Sequence, residues 1–179
     1  MESVFVALLR GINVSGQKKI KMADLRVVLE GMGLQNVQTY IQSGNVVFES
    51  VELDKLWLEQ TIFAAIKQHY GFEVPTLILK SNEIESIISA NPFLGKEEEN
   101  KFYFVLLKQK PDPNLVLEFN QLQFEQEDFH VSDYCVYLLC KNGYGNAKLN
   151  NNLIEKKLKV EATTRNLKTM QKLLEMTTK

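Results

Sequence analysis

Two stretches of the chain read as variants of one another. FVALLRG near the start resembles FVLLKQK in the middle, and VPTLILKSNEIESII resembles VEATTRNLKTMQKLL near the end. Such self-similarity across 179 residues points to an internal duplication, in which two copies of one unit must bury equivalent apolar faces. The order of periodic segments inside each copy then sets the architecture.

In the first copy, residues 3–9 read as a strand that is apolar on both alternating faces. Leu25, Val28, Leu29 and Met32 have helical spacing, and Gly33-Leu34 supplies a glycine C-cap with its following apolar contact. NVQTYIQSGNVVFES predicts a hairpin joined at Ser43-Gly44. A helix is expected over 53–70, with Leu56, Phe63, Ile66 and Tyr70 on one stripe, Trp57 in the core and a C-cap at Gly71-Phe72. EVPTLILK is the next strand, followed by a helix over 82–90. The second copy predicts a strand at KFYFVLLK, a helix over 113–121 opened by Pro113, and a hairpin turning at Ser132-Asp133. A helix over 148–158, a short strand over 160–163 and a last helix over 166–175 complete it.

Both copies thus follow the order β-α-β-β-α-β, the ferredoxin-like split motif. The expected fold is α+β: two tandem ferredoxin-like repeats with antiparallel sheets, packed as one compact two-lobed unit. The first repeat and its trailing helix take residues 1–91, a linker takes 92–101, and the second repeat with its C-terminal helix takes 102–179. Within NPFLGKEEENK, the run Glu97–Glu99 reads as solvated linker, because three consecutive carboxylates cannot converge on a metal. The strands at 3–9, 102–107 and 134–140 need cover on a second face, from the trailing helices or the other half's sheet.

A net charge of −1 argues against a dedicated nonspecific nucleic-acid binder. Charge is nevertheless uneven, with a balance of −7 over residues 51–130 and +5 over 131–179. A local anion site fits that pattern, and so does an ordinary solvated face. VFVALL is too short for a signal-peptide core, and no apolar run approaches the eighteen or so residues of a membrane span. Cys135 and Cys140 alone exclude a disulfide framework and suggest buried reduced thiols. A cytoplasmic protein without membrane contact is the expectation.

LLRGINVSGQKK lies close to a phosphate loop, but Gln17 stands in the lysine's place and the Ser43-Gly44 hairpin forces an antiparallel sheet. The same topology brings the end of the first strand beside that hairpin turn. Arg10, Asn13, Lys18, Gln42, Ser43 and Asn45 are therefore expected at one edge. In the second copy NGYGNAK should meet TTRN, grouping Tyr144 and Lys148 with Thr164, Arg165 and Asn166. Arginine with glycine-rich backbone near a helix start is suited to carboxylate or phosphate. The same residues are also ordinary turn formers, and arginine can snorkel or cap.

His69 and His130 have no Cys or His at ligand spacing, so neither zinc nor a histidine-activated nucleophile is expected. Glu83/Glu85 and Glu125/Glu127 read as solvent-facing pairs. No catalytic residue or cofactor is indicated, and whether the chain is an enzyme stays open.

LLRGINVSG, TYIQSGNVVF, GYGNAKL and EKKLKVEATTRNLKT, in this order and spacing, resemble the bacterial family designated domain of unknown function 1697. The resemblance implies a duplicated ferredoxin-like fold and no established activity. The family commonly has Gly-Gly where this chain has Ser15-Gly16, and glycine where it has Lys159. If Lys159 caps its helix left-handed, it costs about 1 kcal/mol relative to glycine.

Three functional readings follow. The leading one is a binding module for a small phosphorylated or anionic, nucleotide-like ligand at the arginine/glycine edges. The others are an RNA-binding protein, disfavoured by the absent RNP aromatics and a pI of about 6.2, and a protein-interaction or oligomer scaffold.

Overall fold

The computed structural model describes residues 3–95 and 98–178, so Lys96 and Glu97 of the expected linker lie outside the described residues. In the first half β1 (Ser3–Leu9), α1 (Met22–Gly31), β2 (Gln35–Tyr40), β3 (Asn45–Ser50), α2 (Lys55–Tyr70) and β4 (Thr76–Lys80) are followed by α3 (Ser81–Ser89). The second half repeats the order with β5 (Phe102–Leu107), α4 (Pro113–Phe119), β6 (Glu127–Val131), β7 (Cys135–Cys140), α5 (Asn151–Leu158) and β8 (Ala162–Asn166), then α6 (Leu167–Thr177). The strand orders β2-β3-β1-β4 and β6-β7-β5-β8 are the same permutation, and every pairing is antiparallel. These are two similar ferredoxin-like lobes.

The chain divides into two compact units, one running to Glu85 and including the residues from Lys172 onward, the other covering Ser86–Gln171. In the first unit the Thr177 hydroxyl near the end of α6 donates to Ser81 Oγ at 3.0 Å.

Local chemistry sets the helix ends. Asp54 accepts from the Leu56 and Trp57 amides, and Gly71 closes α2 in the left-handed region with its N–H on the Lys67 carbonyl. Asp112 caps α4 ahead of Pro113, and Asn150 caps α5. Gly33 has φ +96 just beyond α1, and its N–H reaches the Glu30 carbonyl.

Each sheet packs one face on its own helices. In the first unit Phe5, Ala7 and Leu9 meet Leu25, Leu58, Ile62 and Ile66, with Phe5 and Phe48 stacked at 5.8 Å. In the second, Val105, Leu107, Val136 and Leu138 meet Ile154 and Leu158. The intervening residues Val6, Leu8, Val47, Phe104, Leu106 and Leu139 are buried as well, so both faces of the central strands are covered.

The core stripe of α2 differs from the sequence expectation. Leu58, Ile62 and Ile66 line it at four-residue intervals, whereas Leu56 is 57% and Trp57 49% exposed. One turn of helix cannot aim residues 56, 57 and 58 inward together, and the Ile62/Ile66 phase selects Leu58. The strand expected over 160–163 instead spans Ala162–Asn166, and α5 starts three residues later than expected, at Asn151.

Cys135 and Cys140 are buried and free. Burial raises both thiols, Cys140 to about 12, with the charge of Glu127 as its second cause. A thiol raised in the folded state contributes stability that is complete below its unfolded value and is lost as pH rises through the folded one. Stability should therefore decline between about pH 9 and pH 12. At neutral pH both thiols should react with a thiol reagent only as fast as the protein opens; rapid labelling of native protein would contradict this burial.

Lys159 has φ 53 and ψ 40, a left-handed C-cap of the kind that glycine fills without strain. Lys159→Gly should raise stability by about 1 kcal/mol, read as a higher denaturant midpoint at unchanged slope.

Candidate functional site

The first edge is built where β1 runs out beside the turn between β2 and β3. The Leu9 amide donates to the Gly44 carbonyl at 2.8 Å, and the Arg10 amide to the Pro75 carbonyl at 2.9 Å. The chain leaving β1 is thereby held between Gly44 and Pro75. Asn13 fixes its conformation. Asn13 Nδ2 donates to the Ile20 carbonyl at 2.9 Å and to the Gln42 carbonyl at 2.7 Å, while Oδ1 accepts the Ile20 amide at 2.8 Å. The Asn13 amide also donates to the Lys18 carbonyl, closing residues 13–18 into a small ring of backbone. Gly11, Asn13, Ser15, Gly16 and Lys18 all take positive φ within this loop.

Asn13 and Gln42 are therefore together, as the topology requires. Asn45 is fully buried and ties the turn by donating to the Tyr40 carbonyl and to Ser43 Oγ. Lys18 leans the other way and donates to the Glu73 carbonyl at 2.6 Å. Nearby, Glu73 is held below the ordinary carboxylate range, first by its hydrogen bond and ion pair with Lys67 and in smaller part by the charge of Lys18. The cations of this edge are Arg10, Lys18, Lys19 and Lys21, and no acidic residue falls between residues 3 and 23.

At the second edge NGYGNAK does meet β8. Tyr144 Oη donates to Thr164 Oγ1 at 3.2 Å and accepts the Asn151 amide at 2.8 Å. Thr164 Oγ1 also donates to Asn151 Oδ1 at 2.8 Å, and the Tyr144 ring stacks on Tyr103 at 4.9 Å. Asn166 caps α6 by accepting the Thr169 amide.

The donors here are largely engaged from within. Glu127 accepts the Lys148 amide at 2.9 Å and the Leu149 amide at 2.7 Å, so the chain's own carboxylate sits where an external anion would meet that loop. Arg165 is buried; its Nη1 donates to Thr163 Oγ1 at 2.9 Å and to the Thr164 carbonyl at 2.8 Å. Burial lowers its guanidinium to about 10. A hollow of about 400 Å³ beside this loop is lined by Glu125, Glu127, Asn142, Asn146 and Lys148 among others, an acidic and amide-rich wall.

These bonds correct the sequence reading of Glu127 as solvent-facing, and Asn151 joins the site without a local sequence signal. Both act through partners at least seven residues away, which local patterning does not register. Among the described residues no group of His, Cys, Asp and Glu could hold a metal ion, and no helix is long and apolar enough to cross a membrane.

Comparison with solved structures finds the conserved bacterial protein SP0830 from Streptococcus pneumoniae, at a TM-score of 0.75 and 24% identity over 99% of each chain. That likeness speaks for the fold. No curated protein matches. The model of a protein family of unknown function, DUF1697, matches residues 2–137. With three-quarters of its length so matched and the duplicated fold in place, the chain belongs to the DUF1697 family of uncharacterised proteins.

Proposed function

We propose that this protein is a binding module for a small phosphorylated or otherwise anionic ligand, held at the first edge. The observation that carries the reading is the set Arg10, Lys18, Lys19 and Lys21 on a loop whose shape Asn13 fixes, with no acid between residues 3 and 23. Cations on a preorganised loop bind an anion without first paying the entropy of ordering the backbone. The second edge is the poorer candidate, because Glu127 and the strand's own oxygens engage its amides and arginine.

Thermal unfolding in the presence of inorganic phosphate, nucleotides, sugar phosphates and short RNA tests this. A ligand at 100 times its dissociation constant should add about 2.7 kcal/mol. Lys19→Ala/Lys21→Ala should weaken that ligand at least about tenfold through loss of charge, while Glu127→Gln should leave the affinity unchanged. The reading fails if no compound on the panel stabilises the protein, or if the lysine variant binds as wild type does. Binding confined to oligonucleotides, with affinity falling steeply as salt rises, would favour the nucleic-acid alternative.

A further inference from the structure

The opposite edge of the first sheet has complementary chemistry. There β3 ends beside the start of β1, with Ser50 opposite Ser3, and the chain turns into α2. Val51, Leu53, Leu56 and Trp57 are all exposed within these seven residues. Solvent-exposed apolar groups concentrated in this way mark interaction surfaces in soluble proteins. In the same stretch of chain lie the carboxylates of Glu49, Glu52 and Asp54, Glu49 bonded to Asn36 and Asp54 capping α2; of the cations at this end, Lys55 is paired with Glu83 at 2.6 Å and Lys80 lies over the Phe5 ring. The edge at loop 10–21 is the counterpart: the segment carries Arg10, Lys19 and Lys21, with Lys18 turned onto the Glu73 carbonyl, and the aliphatic side chains of Val14 and of Ile41 in the neighbouring turn are exposed.

We infer that the two edges dock between copies of this chain, the acidic, tryptophan-bearing edge of one molecule receiving the basic edge of the next. An apolar centre ringed by charges of opposite sign is the ordinary build of a protein interface, and tryptophan is among its strongest anchors. The contact joins unlike patches. Each molecule therefore keeps one unfilled edge of each kind, and the assembly grows head to tail, as a ring where the rotation closes and as an open chain where it does not. The association needs no ligand, so it stands or falls separately from the binding reading, although an anion on loop 10–21 would compete with it.

Sedimentation velocity of the full chain over rising concentration tests the docking. At low salt the weight-average mass should increase, and at about 0.5 M salt it should return toward the monomer. The emission of Trp57, the chain's single tryptophan, should shift to the blue as the mass rises. Lys19→Glu/Lys21→Glu in one variant and Glu49→Lys/Glu52→Lys in another should each remain monomeric, and an equimolar mixture should associate. If the second variant is not folded by circular dichroism, Trp57→Ala takes its place and should weaken association about tenfold or more. A monomer at every concentration in low salt would overturn the inference. So would association that charge reversal leaves intact, or that salt strengthens. Retained anion binding by Glu49→Lys/Glu52→Lys would separate failure here from failure of the ligand reading.

Discussion

Gly44→Ala is expected to lower the free energy of unfolding by roughly 3 kcal/mol, the largest single effect foreseen for this fold. A Cβ at Gly44 would stand 2.6 Å from Leu9 Cβ, 3.0 Å from Ile12 Cδ1 and 3.1 Å from the Leu9 carbonyl oxygen. Leu9 cannot retreat: its Cβ is set by a fully buried strand, and its amide is bonded to Gly44 itself. The φ of +84 adds a cost for any L side chain. Gly16→Ala is the control. Its φ is +74, but an added Cβ meets nothing within 4 Å, so it should cost only about 1 kcal/mol. Chemical denaturation of both variants isolates the steric part. Equal losses would mean that the turn does not press on β1 as described.

Asn13→Ala should cost roughly 2–3 kcal/mol, because it removes three hydrogen bonds at once. The loss has a local signature. The Ile20 amide, now bonded to Asn13 Oδ1, should lose hydrogen-exchange protection far beyond the global change. Asn13→Asp is the sharper probe: it retains the acceptor for Ile20 N–H but turns a carboxylate oxygen toward the Ile20 and Gln42 carbonyls. It should destabilise at least as much as alanine. Both variants should weaken any anion bound at this edge, since they release the loop that holds its cations together. An Asn13→Ala protein as stable as wild type would remove Asn13 as the clamp.

Element order and fold class were legible because they rest on short-range signals. Glycine C-caps at Gly33 and Gly71, the apolar run of β1 and the turn at Ser43-Gly44 each announce themselves within a few residues. The duplication then doubled every such signal. What escaped is of longer range. The residues expected to open α5 remain outside the helix because Glu127, more than twenty positions upstream, holds the Lys148 and Leu149 amides. The apolar character of Trp57 suggests a core residue, whereas helical phase places Leu58 there. At the candidate site topology placed Asn13 beside Gln42, yet nothing local distinguishes an asparagine that binds from one that braces. The positive φ at Ser15 and Lys18 belongs to the closed loop and not to those residue types.

The sheet margins carry a consequence for solubility. Along the outer strand β4 the Ile78 amide donates to Glu59 and the Lys80 amide to Glu83, and on β8 the Ala162 amide donates to Glu155. Glu59 and Glu155 occupy the same position in their respective crossover helices, four residues after the first. An unguarded outer strand is a template for endless strand addition. Here a carboxylate already sits on the bonds an incoming strand would need, and it would also repel an arriving row of carbonyls. In both copies of the duplicated unit this margin thus has a safeguard against amyloid-like stacking, independent of any ligand or partner.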